Sequence, residues 1–147
     1  DRTKLFLPQS REAPEGVHCI LGLPRDAMTG LRCFLRSKIH RATVTEADLD
    51  YVGSVSIDSD ILSASGIAPW ERVQVVDLTN GSRIETYAIE APSGSGEIQI
   101  NGAAAHLIHP GDKVIIMAYE YLEREQIDAH EPIIIHVDGE NRVTNRG

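Results

Sequence analysis

The stretch Val73-Gln-Val-Val-Asp-Leu-Thr-Asn-Gly-Ser-Arg-Ile-Glu-Thr-Tyr-Ala-Ile-Glu90 is the clearest local signal in the chain. Two β-prone runs, Val73–Leu78 and Arg83–Glu90, flank Thr79-Asn-Gly-Ser82, and Asn-Gly supplies the positive φ angles that tight hairpin turns need. Downstream, Ser93-Gly-Ser-Gly96 reads as a flexible loop and Glu97–Asn101 as a further strand. Gly102-Ala-Ala-Ala-His106 favours a short helix once Gly102 has made its turn. Pro110-Gly111-Asp112 then leads into Lys113–Leu122, a strongly apolar strand, and Ile133–Val137 is the last strand before a polar end from Asp138 that is expected to fray.

Upstream, Pro69 marks a turn, and Asp58–Ser65 reads as a short helix with Asp58 or Ser59 as N-cap and Gly66 as its stop. Gly53–Ile57 can be a strand. Thr45-Glu-Ala-Asp48 has capping-box form and suggests a one-turn helix. Arg32–Val44 is β-compatible and carries Arg32, Arg36, Lys38 and Arg41 with no acidic residue. Six or seven short strands with stub helices imply a mainly β fold, a small barrel.

The length of 147 residues suits one domain, and 41% hydrophobic with 24% charged residues is a soluble globular composition. A net charge of −8 argues against general nucleic-acid binding, which needs a basic surface to displace counterions. No run approaches the ~18 apolar residues of a membrane span, and Val17–Leu23, interrupted by His18 and without a preceding basic region, makes a poor signal peptide. Cys19 and Cys33 match no zinc or redox spacing, so a reduced, cytoplasmic setting is the default. Residues 1–30 carry three prolines and no periodicity. They read as a poorly ordered upstream extension, with an ordered arm docking on a neighbouring subunit as the alternative. The barrel is expected over 31–137, and 138–147 is a polar C-terminal tail.

Several chemistries leave no trace. There is no nucleophile elbow, P-loop or dinucleotide fingerprint. His106 and His109 lack a further ligand cluster, so no metal site is expected, and none of Lys4, Lys38 and Lys113 sits in an evident pyridoxal phosphate site. Gly-Ser pairs occur at 53–54, 81–82 and 94–95, and any one of them alone is explained by a strand start or a turn.

The surroundings of the first pair change that reading. Lys38-Ile-His-Arg-Ala-Thr-Val-Thr-Glu-Ala-Asp-Leu-Asp-Tyr-Val-Gly-Ser54 resembles the pyruvoyl-dependent aspartate 1-decarboxylases, which are made as inactive proenzymes. The resemblance continues through Thr79–Arg83, Thr86–Ile89, Gly94–Gly96, Asn101–His106 and Pro110–Asp112, and spans about Leu31 to Val137. It implies a double-psi β-barrel, a homotetramer with active sites between subunits, and self-cleavage between Gly53 and Ser54. Ser54 Oγ would attack the Gly53 carbonyl carbon, where the missing Cβ allows a strained approach. β-Elimination from the ester and loss of ammonia would leave a pyruvoyl group in place of Ser54. Val52 stands where some relatives carry an acidic residue, which bears on processing rate.

The resemblance also assigns roles. Arg83 would grip a substrate carboxylate, bidentately as a guanidinium can. Lys38 and His40, two apart on a strand and so on one face, match basic site residues. Tyr87, sharing a face with Arg83, would donate the proton after decarboxylation. Thr86 would polarise the Gly53 carbonyl during cleavage and contact substrate, yet alternation puts it on the face opposite Tyr87. Both roles at one site would therefore need strong twist, a bulge or a neighbouring subunit. Asn101 and the backbone at Gly102, Ala103 and Ala104 would fix pyruvoyl and substrate oxygens, and Tyr51 would line the pocket. The implied reaction is decarboxylation of L-aspartate to β-alanine for pantothenate and coenzyme A synthesis. It leaves open whether maturation needs a helper protein. The rival readings are the same chemistry on another acid such as glutamate, and a non-catalytic β-barrel binding module.

Overall fold

A computed structural model describes residues 30–146; the expectation for the first thirty residues lies, but for Gly30, outside the described residues. The elements in chain order are β1 (Arg32–Thr43), β2 (Glu46–Asp48), β3 (Ser54–Asp58), α1 (Ser59–Ser65), β4 (Arg72–Asp77) and β5 (Arg83–Ala91). Then come β6 (Ile98–Asn101), a 3-10 helix (Gly102–His106), β7 (Lys113–Leu122), α2 (Arg124–Ile127), β8 (Ile133–Val137) and β9 (Val143–Arg146). No helix among the described residues is long and apolar enough to cross a membrane.

The strands form one sheet in the order β2-β6-β3-β5-β4-β7-β1-β8-β9. It mixes antiparallel pairs with three parallel ones, β1 with β8, β2 with β6 and β3 with β5. The sheet curls back on itself just past β1, where Thr45 N–H donates to Ile98 O of β6 at 2.8 Å. Alternation then sends one face inward. In β4, Val73, Val75 and Asp77 are buried while Arg72 is exposed and Gln74 and Val76 lie half-buried. Ile39, Ile57, Ile98, Ile100, Ile116 and Ile135 are fully buried with Val55, Val75 and Val114. Each such side chain contributes roughly 1.5–3 kcal/mol by leaving water, and β-branched residues suit the pleated surface they occupy.

The mainly β fold with short helices is as expected, with nine strands among the described residues rather than six or seven. α1 begins at Asp58, whose carboxylate accepts from Asp60 N–H, and ends at Gly66 in the left-handed region. In the β4–β5 hairpin only Gly81, at φ 80, takes the positive angle that Asn-Gly offers; Asn80 instead uses its side chain to accept from Ser82 N–H at 2.8 Å.

Two expectations fail for the same reason. Thr45–Asp48 is not a helical turn: Thr45 Oγ1 exchanges both its hydrogen bonds with the Ile98 backbone, and Glu46–Asp48 pair with Gln99–Asn101. The end after Asp138 does not fray. Asp138 Oδ1 accepts from Glu140 and Arg142 N–H, and buried Asn141 bonds Thr43 N–H, Thr43 O and Gly96 O. That turn returns the chain as β9, paired with β8. α2 is a further element, opened by a reciprocal Glu123–Gln126 capping box, where the sequence pattern offers no helix.

One of the inward positions of β4 is polar. Asp77 is fully buried; its Oδ1 accepts from Thr79 N–H at 2.7 Å, while Oδ2 meets no donor among the described residues. Burial, and then the neighbouring Asp112 carboxyl, push the Asp77 pKa up. Asp112 is held down, chiefly by the His109 N–H it accepts. A proton on Asp77 gives it a hydrogen bond to Asp112. Asp77 therefore contributes stability below the ordinary carboxylate range and loses it as pH rises through its raised value, whereas the Asp112 contribution is lost as pH falls. Asp77→Asn keeps the acceptor for Thr79 and adds a permanent donor. Its melting temperature at neutral pH should exceed the parent's by about 2–4 °C, and calorimetry should show the gap narrowing towards pH 4.

Candidate active site

Ser54 opens β3 directly opposite Asn101, the last residue of β6, and both are buried. Asn101 Nδ2 donates to Ser54 Oγ at 2.9 Å and to Ser56 Oγ at 3.0 Å. Gln99 Nε2 donates to Asn101 Oδ1 at 2.8 Å, fixing which end of the amide faces the serines. The cluster follows from strand periodicity: 54 and 56 share one face of β3, and 99 and 101 share the facing side of β6.

The residue before Ser54 is held equally closely. A Cβ at position 102 would fall 2.8 Å from Gly53 Cα, 2.9 Å from Gly53 N and 3.1 Å from Tyr51 O. Gly102 also stands at φ 72. Only glycine meets both demands. The close approach brings the start of the 3-10 helix, with Ala103 and Ala104, beside the Gly53–Ser54 peptide.

That peptide lies between two grooves. One, of about 340 Å³, is lined by Gly53, Thr86, Asn101, Ala103 and Ala104 with Ile84, Glu85 and Leu107. The other, of about 750 Å³, is lined by Tyr51, Val52, Ser54, Trp70, Tyr87 and Glu90, among others. Thr86 and Tyr87 do project to opposite faces of β5, as alternation requires. Thr86 shares one groove with Gly53, and Tyr87 shares the other with Ser54.

Lys38, His40 and Arg83 line neither groove. Lys38 lies in register with Met117 on β1, four places from β3 in the sheet. His40 sits beside it, its ring edge-on to His136 at 5.1 Å. Its Nδ1 is buried without a partner among the described residues, and burial, then Lys38, His136 and Arg41, lower its pKa. Arg83 does share a strand face with Tyr87, but four residues of strand at ~3.4 Å each separate them. Its Nη1 donates to Gln74 Oε1 at 2.9 Å, which also accepts from Tyr119 Oη at 2.8 Å.

One chain thus gathers Tyr51, Gly53, Ser54, Thr86, Tyr87, Asn101, Gly102, Ala103 and Ala104 around a single peptide bond. Sequence reasoning passed over Ser56, Gln99, His136 and Trp70. Period-two spacing from Ser54 and Asn101 would have found the first two. The others become visible only through partners on different strands: His136 faces His40, and the Trp70 ring stacks on Tyr87 with centroids 5.6 Å apart and planes 15° from parallel.

Comparison with known proteins is decisive about kinship. Residues 30–144 match the family model described as aspartate decarboxylase. An aspartate 1-decarboxylase of Corynebacterium efficiens is 58% identical over 117 residues, covering 80% of this chain and 86% of that protein. With that coverage, and with a mixed, mainly β fold, the chain belongs to the aspartate decarboxylase family.

Proposed function

We propose that this protein converts L-aspartate to β-alanine and carbon dioxide, using a pyruvoyl group made from its own Ser54 after self-cleavage of the Gly53–Ser54 bond. The observation that carries the reading is the buried Asn101 Nδ2–Ser54 Oγ hydrogen bond beside a glycine-on-glycine contact at the same peptide. The residues fit the group. Ser54 is buried, its hydroxyl is oriented by an amide whose other end is fixed, and no side chain at 53 or 102 crowds the carbonyl.

The atoms rearranged in processing are this chain's own and those of water, with or without a helper protein to promote the step. Ser54 Oγ attacks the Gly53 carbonyl carbon while Thr86, in the groove that Gly53 lines, hydrogen-bonds the carbonyl oxygen. The C–N bond breaks and the amine of residue 54 takes a proton, leaving an ester. Elimination removes the Cα proton of residue 54 and breaks its Cβ–Oγ bond, releasing the Gly53 carboxylate and leaving a Cα=Cβ double bond that tautomerises to an imine. Water then replaces the nitrogen, which departs as ammonia.

The pyruvoyl group supplies a ketone that takes the substrate amine and an adjacent carbonyl that accepts the electrons freed when the α-carboxylate leaves. The chain supplies position and charge. Asn101 and the Ala103 and Ala104 amides orient oxygens on one side, and Tyr87 Oη delivers a proton from the other. Arg83, Lys38 and His40, which line neither groove beside Ser54 of their own chain, act on the substrate carboxylates at a neighbouring subunit's Ser54 in a homotetramer. Cys33 is exposed and unbridged among the described residues, which suits the reducing cytoplasm, where the β-alanine feeds pantothenate and coenzyme A synthesis.

Intact mass after maturation should show residues 1–53 and 54–147 as separate chains, the second lighter by one ammonia than a Ser54 start requires. Ser54→Ala should stay one inactive chain; an uncleaved parent with full decarboxylase activity would sink the reading. Carbon dioxide release from a substrate panel should be fastest with aspartate, and faster glutamate turnover would reassign the substrate. Gly102→Ala should cost about 1–3 kcal/mol in denaturant melts and slow cleavage. Tyr87→Phe should cleave normally but lose roughly 10²–10⁴-fold in kcat.

A further inference from the structure

Trp70 is the chain's single tryptophan and stands at φ 71, a left-handed conformation that a bulky side chain holds only when its surroundings impose it. They do. Trp70 N–H donates to Ala88 O at 2.7 Å, and Ala88 N–H donates to Glu71 O at 2.9 Å. The turn is therefore strapped to β5 at the residue following Tyr87. The Glu71 carboxylate accepts from Ala68 N–H at 2.9 Å and pairs with Arg36, whose Nη1 donates to Gly66 O at 2.9 Å.

Asn or Gly would occupy this turn with less strain. The indole gives the core nothing, since Trp70 is 75% exposed. What it does give is the near-parallel stack on Tyr87 at the wall of the groove that Ser54 also lines. A tyrosine on a groove wall is otherwise free to swing about χ1. A stacked neighbour, itself immobilised by the strapped turn, restricts the phenol to one plane.

We propose that Trp70 is a positioning residue, which holds the Tyr87 phenol at one setting over the Ser54 groove so that its proton is delivered to one face of the reacting carbon. The inference rests on the proton-donor role given to Tyr87 above. The proton passes from Tyr87 Oη to the carbon that has lost carbon dioxide, and the phenolate regains a proton from water.

Trp70→Asn removes the ring and relaxes the turn, while Trp70→Phe keeps a stackable ring. Both are to be assayed as processed enzyme, with cleavage checked by intact mass. Turnover in D2O reports the configuration of the deuterium at the amino-bearing carbon of β-alanine. Trp70→Asn should cleave fully, lose about tenfold in kcat with little change in KM, and scramble that configuration; Trp70→Phe should restore most of both. Adding Trp70→Asn to Tyr87→Phe should cost nothing further. Independently of turnover, the emission of the lone tryptophan should shift in Tyr87→Leu. A Trp70→Asn enzyme with parental kcat and a single deuterium configuration, beside an impaired Tyr87→Phe, would overturn this proposal alone. So would unchanged emission in Tyr87→Leu. A fully active, stereospecific Tyr87→Phe would overturn both this proposal and the donor assignment.

Discussion

Two stretches of backbone touch at Gly53 and Gly102, and most of the site's geometry depends on that contact. It seats the 3-10 helix against the residue before Ser54, and so fixes where β6 ends and which way Asn101 faces. Asn101 then reaches both serines of β3 with one nitrogen. β3 is buried along its whole length between β5 and β6, so its first residue cannot drift without disturbing the centre of the barrel. A side chain at 102 would push on Gly53 Cα, on Tyr51 O and, through Asn101, on the Ser54 hydroxyl together.

Electrostatics are arranged around this apolar centre rather than within it. The net charge of −8 conceals a basic β1, and the cations of β1, β4 and β5 have unequal fates. Arg36 is committed to Glu71, both half-shielded from water. The Arg72–Glu85 pair lies in solvent and contributes little. Lys38 and Arg83 pair with no carboxylate among the described residues; Arg83 holds only the neutral Gln74 amide. A cation bonded to a neutral acceptor keeps most of its charge for an incoming anion, which is what a dicarboxylate substrate would require.

Much of the fold was legible wherever structure is decided locally. The β4–β5 hairpin, α1 with its Asp58 and Gly66 caps, β7 and β8 all follow from alternation and turn chemistry within a dozen residues. Misreadings fall where a short polar side chain has a distant partner. Thr45 looks like an N-cap, yet its hydroxyl bonds Ile98; Asn141 looks like loop, yet it ties Thr43 to Gly96. The site divides in the same way. Ser54 and Asn101 enter only through the resemblance to the family's motifs, whereas alternation places Thr86 and Tyr87 on opposite faces of β5. Alternation could not reveal that the peptide between them opens to both faces. Nor could a pattern within one strand show that Trp70 would meet Tyr87 across a turn.

β1 lies between β7 and β8, and β2 lies against β6. Every strand partner of the segment before Gly53 therefore belongs to the segment after Ser54. A cut at that bond does not divide the barrel into two halves; it leaves a strand of one polypeptide threaded through the sheet of another. Assembly before the cut is intramolecular, whereas re-assembly after full unfolding is a second-order encounter between two fragments, neither with a complete sheet. Residence of the mature enzyme in its native state is then governed by how slowly the barrel opens. Heat damage to such a protein accumulates, and recovery on cooling depends on protein concentration.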